Sequence, residues 1–245
     1  MPFAVIGAAV PEGMKDLLCT QGYDVITLPC NPRLSGAVAA HPDLSVFFAP
    51  DAVYTTAGFA EVAGQEFKEI CRRLGCPLRI VRGEIGTRYP QDILLDALPI
   101  EHRLFCLPEQ TAPELTARTD FCVVPVRQGY AKCAALAVGD HALASADPSL
   151  LRAAEQCGLD TLALLPGGIR LQGYDTGFIG GAASFAPRGD CSDICFCGDL
   201  KLYPGGEALE AFLAAHGIRA YGLSGVPLSD VGTIFLFGGD QNGTA

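Results

Sequence analysis

Five distant parts of the chain begin an apolar segment with residues that could take part in catalysis. Among them are a possible nucleophile, a possible proton carrier and acids that could bind a cation. An ionised Cys is a strong nucleophile, a nearby His can carry protons, and a carboxylate can fix the imidazole. Further carboxylates could hold a planar cation through paired hydrogen bonds. Such a set is typical of nucleophilic catalysis. The positions are His41 and Asp43, Asp92, Lys132 and Cys133, Gly180 and Gly181, and Asp230.

Each of these positions also has a purely structural interpretation. Cys133 precedes an apolar run, where a buried thiol is common, and His41 could be an exposed loop residue. Asp43 and Asp230 could be turn or cap residues. The paired glycines could let a ligand approach the backbone, or they could mark a bulge.

Two further residues are candidates because of their neighbours. Lys132 could lower the pKa of the adjacent thiol or could point away, since neighbours in a strand face opposite sides. Asp175 lies in GYDTGFIGGAAS, the longest glycine-spaced loop, which we predict to face a ligand. The candidate ligand-binding residues are therefore Asp43, Asp92, Asp175, Gly180, Gly181 and Lys132.

The elements that must position these residues repeat the order strand, turn, strand, helix, strand. Residues 130–166 show it most clearly, because a Gly-Asp turn between apolar runs indicates a hairpin, and Asp-Pro followed by periodic apolar residues indicates a helix. The predicted parts are the strands Cys133–Val138 and His141–Ala146, the turn Gly139-Asp140, the helix from Asp147-Pro148 to its stop at Gly158, and the strand Thr161–Leu165.

The same pattern recurs along the chain, with hairpin starts near residues 43, 92, 133, 181 and 230 and spacings of 41 to 49 residues. The copy from Asp92 to Val126 is weaker, and its helix is predicted to be a single turn. The fifth copy is split between the ends of the chain. Its C-terminal strand, Gly232–Phe237, is predicted to join an N-terminal strand, helix and strand over Phe3–Ile6, Glu12–Thr20 and Tyr23–Leu28.

This repeat predicts one α/β domain over residues 1–245, a five-bladed pseudo-symmetric α/β propeller of ββαβ units closed by the N- and C-terminal strands. An ordinary α/β sheet with coincidental spacing is the alternative. In such a ring the first strand of each hairpin is innermost, so the hairpin starts would meet at one end of the axis and build a site there.

Composition narrows the class of protein further. A chain of 245 residues with 49% apolar and 18% charged content can bury a large core, and no linker divides it. The net charge of −10 disfavours nucleic-acid and anionic-membrane partners and suits a small cation. No signal peptide or membrane span is predicted, so we expect a cytoplasmic protein.

The cysteines indicate reduced thiols instead of disulfides or a metal knuckle. They number 11, and most lie inside predicted strands or helices. Cys191, Cys195 and Cys197 form the one cluster, but their spacing does not match a CxxC site and no His lies nearby. We expect no metal and, because no nucleotide-binding or hydrolase motif occurs, no cofactor.

Taken together, these features resemble the pentein superfamily over the whole chain. HPDLSVF is similar to a His-x-Asp strand start, FIGGA is similar to a Gly-Gly strand start, and five ββαβ units with one split unit match the pentein architecture. Penteins include arginine and agmatine deiminases, dimethylarginine dimethylaminohydrolase and the amidinotransferases. These enzymes use a Cys nucleophile, a His acid and base, and carboxylates that bind the guanidinium.

The resemblance implies roles for individual residues when units are compared by relative position. Pentein enzymes place the carboxylate that orients the His one unit before it and the Cys two units after it, as Asp230 and Cys133 stand relative to His41. Asp43 and Asp92 would then bind the guanidinium. Two features depart from the family: LSDVGTIFL lacks the Cys usual in the last strand, and an alanine instead of an acid follows the Gly-Gly pair.

The resulting hypothesis is a hydrolase or amidinotransferase that acts on a small cationic guanidino or amidino compound. Two alternatives stay open, namely a catalytically silent pentein used for binding or assembly, and an unrelated α/β enzyme. The sequence specifies neither the substrate nor the oligomeric state.

Overall fold

The structure is a computed structural model that describes residues 1–188 and 191–238. Within these ranges, the regular structure is divided about equally between short strands and short helices. The strands are β1 (Phe3–Gly7), β2 (Asp24–Leu28), β3 (Phe47–Ala49), β4 (Ala52–Thr55), β5 (Leu78–Ile80), β6 (Leu98–Ile100), β7 (Arg103–Cys106), β8 (Cys122–Pro125), β9 (Ala135–Val138), β10 (Ala142–Ser145), β11 (Asp160–Ala163), β12 (Ala183–Arg188), β13 (Cys191–Phe196), β14 (Arg219–Gly222) and β15 (Phe235–Phe237).

The helices are short as well, and among the described residues none is both long and apolar enough to cross a membrane. Single 3-10 turns occur at Gly36–Ala40 and Leu200–Leu202. The α-helices are α1 (Glu12–Thr20), α2 (Pro42–Ser45), α3 (Ala57–Val62), α4 (Gly64–Leu74), α5 (Pro113–Thr116), α6 (Ala131–Ala134), α7 (Pro148–Gln156) and α8 (Gly206–Ala215).

The strands form five three-stranded sheets of one design. In each sheet two strands pair antiparallel, as a hairpin in four of the five sheets, and a third strand pairs parallel with the middle strand. We number the sheets 1 (β3-β4-β5), 2 (β6-β7-β8), 3 (β9-β10-β11), 4 (β12-β13-β14) and 5 (β15-β1-β2). The pattern of five repeated α/β units predicted from the sequence is therefore present.

Sheet 5 joins the two ends of the described chain, as the split copy predicted. β15 pairs antiparallel with β1, with Phe3 opposite Phe237, and β1 pairs parallel with β2. The rings of Phe3 and Phe237 stack with their centroids 4.8 Å apart. Backbone pairing and aromatic packing thus attach the last described strand to the first.

Local sequence signals explain where the longer helices begin and end. The side chain of Asp147 accepts the N–H groups of Ser149 and Leu150, and Pro148 occupies the first position of α7. Gly158 and Gly217 follow α7 and α8 with φ of 76° and 71°, in the left-handed region that favours glycine. These starts and stops agree with the sequence prediction.

Helical turns precede two inner strands, where the sequence analysis placed the strands themselves. Cys133 lies in α6 and Asp43 in α2, so β9 begins at Ala135 and β3 at Phe47. Pro42 presets a helical φ at the start of α2, and the alanines of α6 favour helix over strand. The side chains of Asp43 and Cys133 therefore project from helical turns and not from the inner strands.

Two predicted boundaries were wrong. The sequence pattern predicts one helical segment over Glu61–Leu74, but the structure has two helices there, and the second begins at Gly64, a residue whose backbone freedom disfavours a continuous helix. The sequence also predicts a polar hairpin turn over Pro187–Asp193, but the turn is shorter, because β12 continues to Arg188 and β13 begins at Cys191. The two residues between these strands lie outside the described part of the chain.

The apolar core consists of five clusters, and each cluster joins two sheets. The clusters bury aliphatic and aromatic side chains from the helix-covered faces. Representative pairs are Tyr54 with Leu104 between sheets 1 and 2, Phe105 with Leu143 between sheets 2 and 3, Leu136 with Phe196 between sheets 3 and 4, Cys195 with Ile6 between sheets 4 and 5, and Phe3 with Val53 between sheets 5 and 1.

A buried hydroxyl bond repeats in sheets 1 and 3. Thr55, the last residue of β4, donates its Oγ1 hydrogen to the carbonyl of Ser45 at 2.8 Å. Ser145, the last residue of β10, donates in the same way to the carbonyl of Ala134 at 2.7 Å. Both acceptors end a one-turn helix, so each hydroxyl fixes that helix to the middle strand of its sheet.

We predict that Thr55→Val lowers the free energy of unfolding by about 1–3 kcal/mol, because the valine keeps the shape but leaves a buried carbonyl without its donor. Urea unfolding would measure the loss. Thr20→Val is the matched control, since its hydroxyl donates to Asp16 at an exposed helix end and its loss should cost under about 0.5 kcal/mol. Equal effects of the two substitutions would contradict the structural role.

Candidate active site

The segments that lead into the five inner strands meet one another. We call them lead-in turns 1 to 5, in the order of their sheets. They comprise residues 41–46, 92–97, 130–134, 178–182 and 230–234. The N–H of Lys132 in turn 3 donates to Asp96 Oδ1 in turn 2 at 2.6 Å, and the N–H of Gly180 in turn 4 donates to the carbonyl of Cys133 at 2.8 Å.

Turn 5 bridges turns 4 and 1. The N–H groups of Val231 and Thr233 both donate to the carbonyl of Gly181, at 3.1 and 3.0 Å. On its other side, the carbonyl of Gly232 accepts the N–H of Asp43 at 3.2 Å. Direct hydrogen bonds therefore link turns 2, 3, 4, 5 and 1 in sequence.

A cavity of about 160 Å³ opens among these turns. Cys133, His41 and Asp230, the three residues predicted to be catalytic, all line it. The rest of the lining is largely aromatic and aliphatic, a surface suited to a flat ligand. It comprises Val38, Leu44, Tyr130, Leu171, Tyr174, Thr176 and Phe178.

Asp230 is held in place by the backbone and faces His41. Its Oδ2 accepts the N–H of Phe178 at 2.9 Å, and its Oδ1 accepts the N–H of Gly232 at 3.0 Å. The same Oδ1 lies 3.8 Å from His41 Nδ1. Burial raises the pKa of Asp230, His41 lowers it, and the charge of Asp43 raises it. With both oxygens anchored, this carboxylate can orient the imidazole.

The thiol of Cys133 lies beside a second carboxylate. Its Sγ is 2.8 Å from Asp96 Oδ2, and Cys133 is 3% exposed. Burial raises the pKa of this thiol well above its usual range, and the charges of Asp43, Asp96 and Asp230 raise it further. The thiol is therefore neutral near pH 7, and a positive charge beside it would favour its ionisation.

Asp96 is fully buried and shares the environment of the thiol. Burial raises its pKa to about 8, the charge of Asp43 contributes, and the hydrogen bonds from Cys133 and the Lys132 N–H oppose the rise. A carboxyl group with this pKa can accept or release a proton near neutral pH, which suits an acid or base.

Asp43 completes a compact group of acidic side chains. Its Oδ2 accepts the hydroxyl of Thr233 at 2.8 Å, whereas its Oδ1 is buried without a hydrogen-bond partner among the described residues. One ligand atom each from Asp43, Asp96 and Cys133 lies within 4.8 Å of the other two. These three side chains could hold a metal ion or the N–H groups of a cation.

None of the predicted ligand-binding residues lines this cavity, and Asp43 lines a neighbouring cavity together with Lys132. Asp92 lies behind Tyr130 and accepts its hydroxyl at 2.7 Å, and its other oxygen is buried without a hydrogen-bond partner among the described residues. Asp175 is exposed and lines a separate surface depression. Lys132 donates through Nζ to Thr233 Oγ1 at 2.8 Å and lines two neighbouring cavities instead.

The glycine pair in lead-in turn 4 serves close contact between protein segments. A side chain at Gly180 would overlap the carbonyl groups of Lys132, Cys133 and Ala135. A side chain at Gly181 would overlap the carboxylate of Asp230. As expected from the sequence, other groups come close to the backbone at these glycines, but they are protein groups of the site and not a ligand. The glycine pair does not line the cavity.

Sequence reasoning missed Asp96 and the aromatic walls. Asp96 stands inside the apolar run ILLDALPI, and an acid within such a run is a signal for a buried charge that could have revealed it. Tyr130 and Phe178 gave no comparable signal, because aromatic residues beside apolar segments usually belong to the core. Their rings lie 5.9 Å apart at the cavity wall.

Comparison with known proteins assigns the chain to a family without an established activity. The sequence profile of a family of unknown function, DUF6873, matches residues 5–235, so the chain belongs to that family. No curated protein sequence matches it. Among solved structures it is similar to C. jejuni agmatine deiminase, with a TM-score of 0.47 and 11% sequence identity over 82% of this chain and 70% of that chain.

We predict that Asp96→Asn removes a pH-dependent loss of stability. In the folded protein Asp96 keeps its proton to about pH 8. The unfolded chain releases that proton near pH 4, so stability falls as pH rises through this window, by about 1 kcal/mol per pH unit. The asparagine keeps the acceptor for Lys132 but does not titrate.

Urea unfolding of both proteins at several values between pH 5 and 8 would test this prediction. The variant should gain stability relative to the natural protein as pH rises. Parallel stability profiles for the two proteins would show that Asp96 does not hold a proton in the folded state.

Proposed function

We propose that this protein is a Cys-dependent hydrolase or amidinotransferase that acts on the guanidino group of a small cation. The observation that carries the proposal is the placement of Cys133, His41 and Asp230 around one cavity, although 92 and 97 residues separate them in sequence. A nucleophile, a proton carrier and an orienting carboxylate are the parts that covalent catalysis at carbon requires.

The surroundings of the sulfur support a positively charged substrate. Asp43 and Asp96 lie beside Cys133, and Asp43 Oδ1 has no hydrogen-bond partner among the described residues. The planar N–H edges of a guanidinium match paired carboxylate oxygens. Tyr130 and Phe178 present ring surfaces against which such a flat cation can stack.

The substrate's charge would also activate the nucleophile. The negative charges that raise the pKa of Cys133 are offset when a guanidinium lies between Asp43 and Asp96, so the thiolate forms once substrate is bound. The same positive charge favours the ionised form of Asp96, which lies 2.8 Å from the sulfur and, once ionised, accepts the thiol proton. The enzyme would then keep an inert thiol when the cavity holds no cation.

The chemistry follows in two steps. The thiolate attacks the central carbon, His41 protonates the departing amine or ammonia, and the C–N bond breaks to leave an S-thiouronium on Cys133. His41, now neutral, takes a proton from water as the water oxygen attacks the same carbon. The C–S bond then breaks, and the proton left on that oxygen passes to the sulfur as the ureido product leaves. An acceptor amine in place of water would give amidino transfer. Asp230 positions His41 in both steps.

We also propose that the five sheets close into a pentein-type ring around this site. Apolar clusters join sheets 1 to 2, 2 to 3, 3 to 4, 4 to 5 and 5 to 1. Hydrogen bonds connect the lead-in turns in the same order from turn 2 to turn 1. A closed ring explains why residues from sheets 1, 3 and 5 share one cavity.

A second candidate function is cation binding without chemistry. The observation that favours it is the neutral, 3% exposed thiol of Cys133, which three carboxylates hold in its protonated form. The two functions predict the same ligand class but differ in turnover.

We expect the protein to convert arginine, agmatine or a methylarginine to a ureido product, with Cys133→Ala reducing turnover by about a thousandfold or more. Colorimetric detection of the ureido group and of released ammonia or amine would measure it. Cys106→Ala, which removes another buried thiol, is the matched control and should keep activity. Turnover that survives loss of Cys133 would exclude the covalent mechanism, and ligand binding without turnover would favour the second candidate.

We further expect a cationic electrophile to select Cys133. Chloroacetamidine carries an amidinium group, and chloroacetamide is its neutral counterpart of the same size. Mass spectrometry would give, for each thiol, the labelling rate with chloroacetamidine divided by the rate with chloroacetamide. This quotient should be at least tenfold larger at Cys133 than at exposed Cys19, Cys30 and Cys122. The same ratio at all four thiols would contradict a cation-binding site at Cys133.

A further inference from the structure

The group formed by Asp43, Asp96 and Cys133 has the composition of a metal site. The three residues are 1%, 0% and 3% exposed, and their ligand atoms lie within 4.8 Å of one another. Two carboxylates and one thiolate around a single tetrahedral zinc-type ion would be separated by about 3.3–3.6 Å, given Zn–O near 2.0–2.2 Å and Zn–S near 2.3 Å. The observed ligand atoms, at most 4.8 Å apart, lie near this range.

A second observation points to a missing positive partner. Asp43 Oδ1 is buried without a hydrogen-bond partner, and within the described ranges no Lys or Arg forms an ion pair with Asp43 or Asp96. Lys132 is connected to Asp43 through Thr233, whose hydroxyl accepts from Lys132 Nζ and donates to Asp43. An acceptor buried in this way loses its hydration without compensation.

We propose that Asp43, Asp96 and Cys133 bind one divalent transition-metal ion of the zinc type. The thiolate selects such an ion over Mg²⁺ and Ca²⁺, which prefer six or more oxygen ligands. Three protein ligands leave a fourth position that water can fill from the cavity beside Cys133. On binding, the metal displaces the protons of the Cys133 thiol and the Asp96 carboxyl group, and both protons pass to solvent.

The consequence for activity rests on the proposed function. The metal occupies the sulfur lone pair and the carboxylate oxygens that the guanidinium would use, so metal and substrate exclude each other. The ion would therefore act as a reversible inhibitor that protects the nucleophile.

Titration of the full chain with Co²⁺ tests the site directly, because thiolate-bound cobalt gives a ligand-to-metal charge-transfer absorption. We expect saturation at one ion per chain, loss of that absorption in Cys133→Ala, and affinity weakened about tenfold or more in Asp96→Asn. Cys106→Ala should keep the absorption, because that buried thiol lies outside the group. Circular dichroism would confirm that each variant folds.

An absorption that does not saturate, or that persists unchanged in Cys133→Ala, would overturn the proposal. If Cys133→Ala does not fold, the change in metal affinity in Asp96→Asn gives an independent answer. Zn²⁺ should displace Co²⁺, and Mg²⁺ in the same range should not. The metal titration needs no substrate. A cobalt–thiolate band in a protein without guanidine turnover would support the metal site and contradict the enzymatic proposal. Guanidine turnover without the band would support the enzymatic proposal and contradict the metal site.

Discussion

The central constraint in this protein is the concentration of acidic groups in its interior. Asp43, Asp92, Asp96 and Asp230 are each at most 6% exposed, and the thiol of Cys133 lies among them. Burying one carboxylate costs several kcal/mol unless hydrogen bonds or a counter-charge compensate. The protein supplies backbone N–H groups, two hydroxyl groups, His41 and Lys132, and it keeps protons where compensation is incomplete. A bound cation would complete the balance.

That arrangement depends on loops that can approach one another closely. Gly181 and Gly232 leave no room for side chains against Asp230 and His41, and Gly180 fits against the carbonyl groups around Cys133. Larger residues there would separate the lead-in turns and break the bonds that aim N–H groups at the carboxylates. Glycine in this protein therefore serves the electrostatics of the site by allowing dense backbone packing.

Much of this architecture could be predicted from local sequence. Turn and cap residues mark the ends of helices and strands by interactions within a few residues, as at Gly139-Asp140, Asp147 and Gly217. The repeated order of strands and helices could therefore be predicted. Spacing also brought Cys133, His41 and Asp230 to one cavity. The helical turns of α2 and α6 were missed because apolar residues in a four-residue segment suit helix and strand alike.

The partners of the site residues could not be read in the same way. Whether Asp92 faces the cavity or Tyr130, and whether Asp175 points inward, depends on how distant turns pack, which no local pattern encodes. Asp96 is the exception, since its apolar neighbours already required it to be buried.

The pairing of β15 with β1 has a consequence for how the protein is made. β15 begins at Phe235, 228 residues after β1 ends at Gly7, so one edge of β1 stays open until that later segment has been synthesised. Asp230, Gly232 and Thr233 arrive with that same late segment. A nascent chain can complete the other four sheets, yet it cannot assemble the acidic centre until β15 docks on β1.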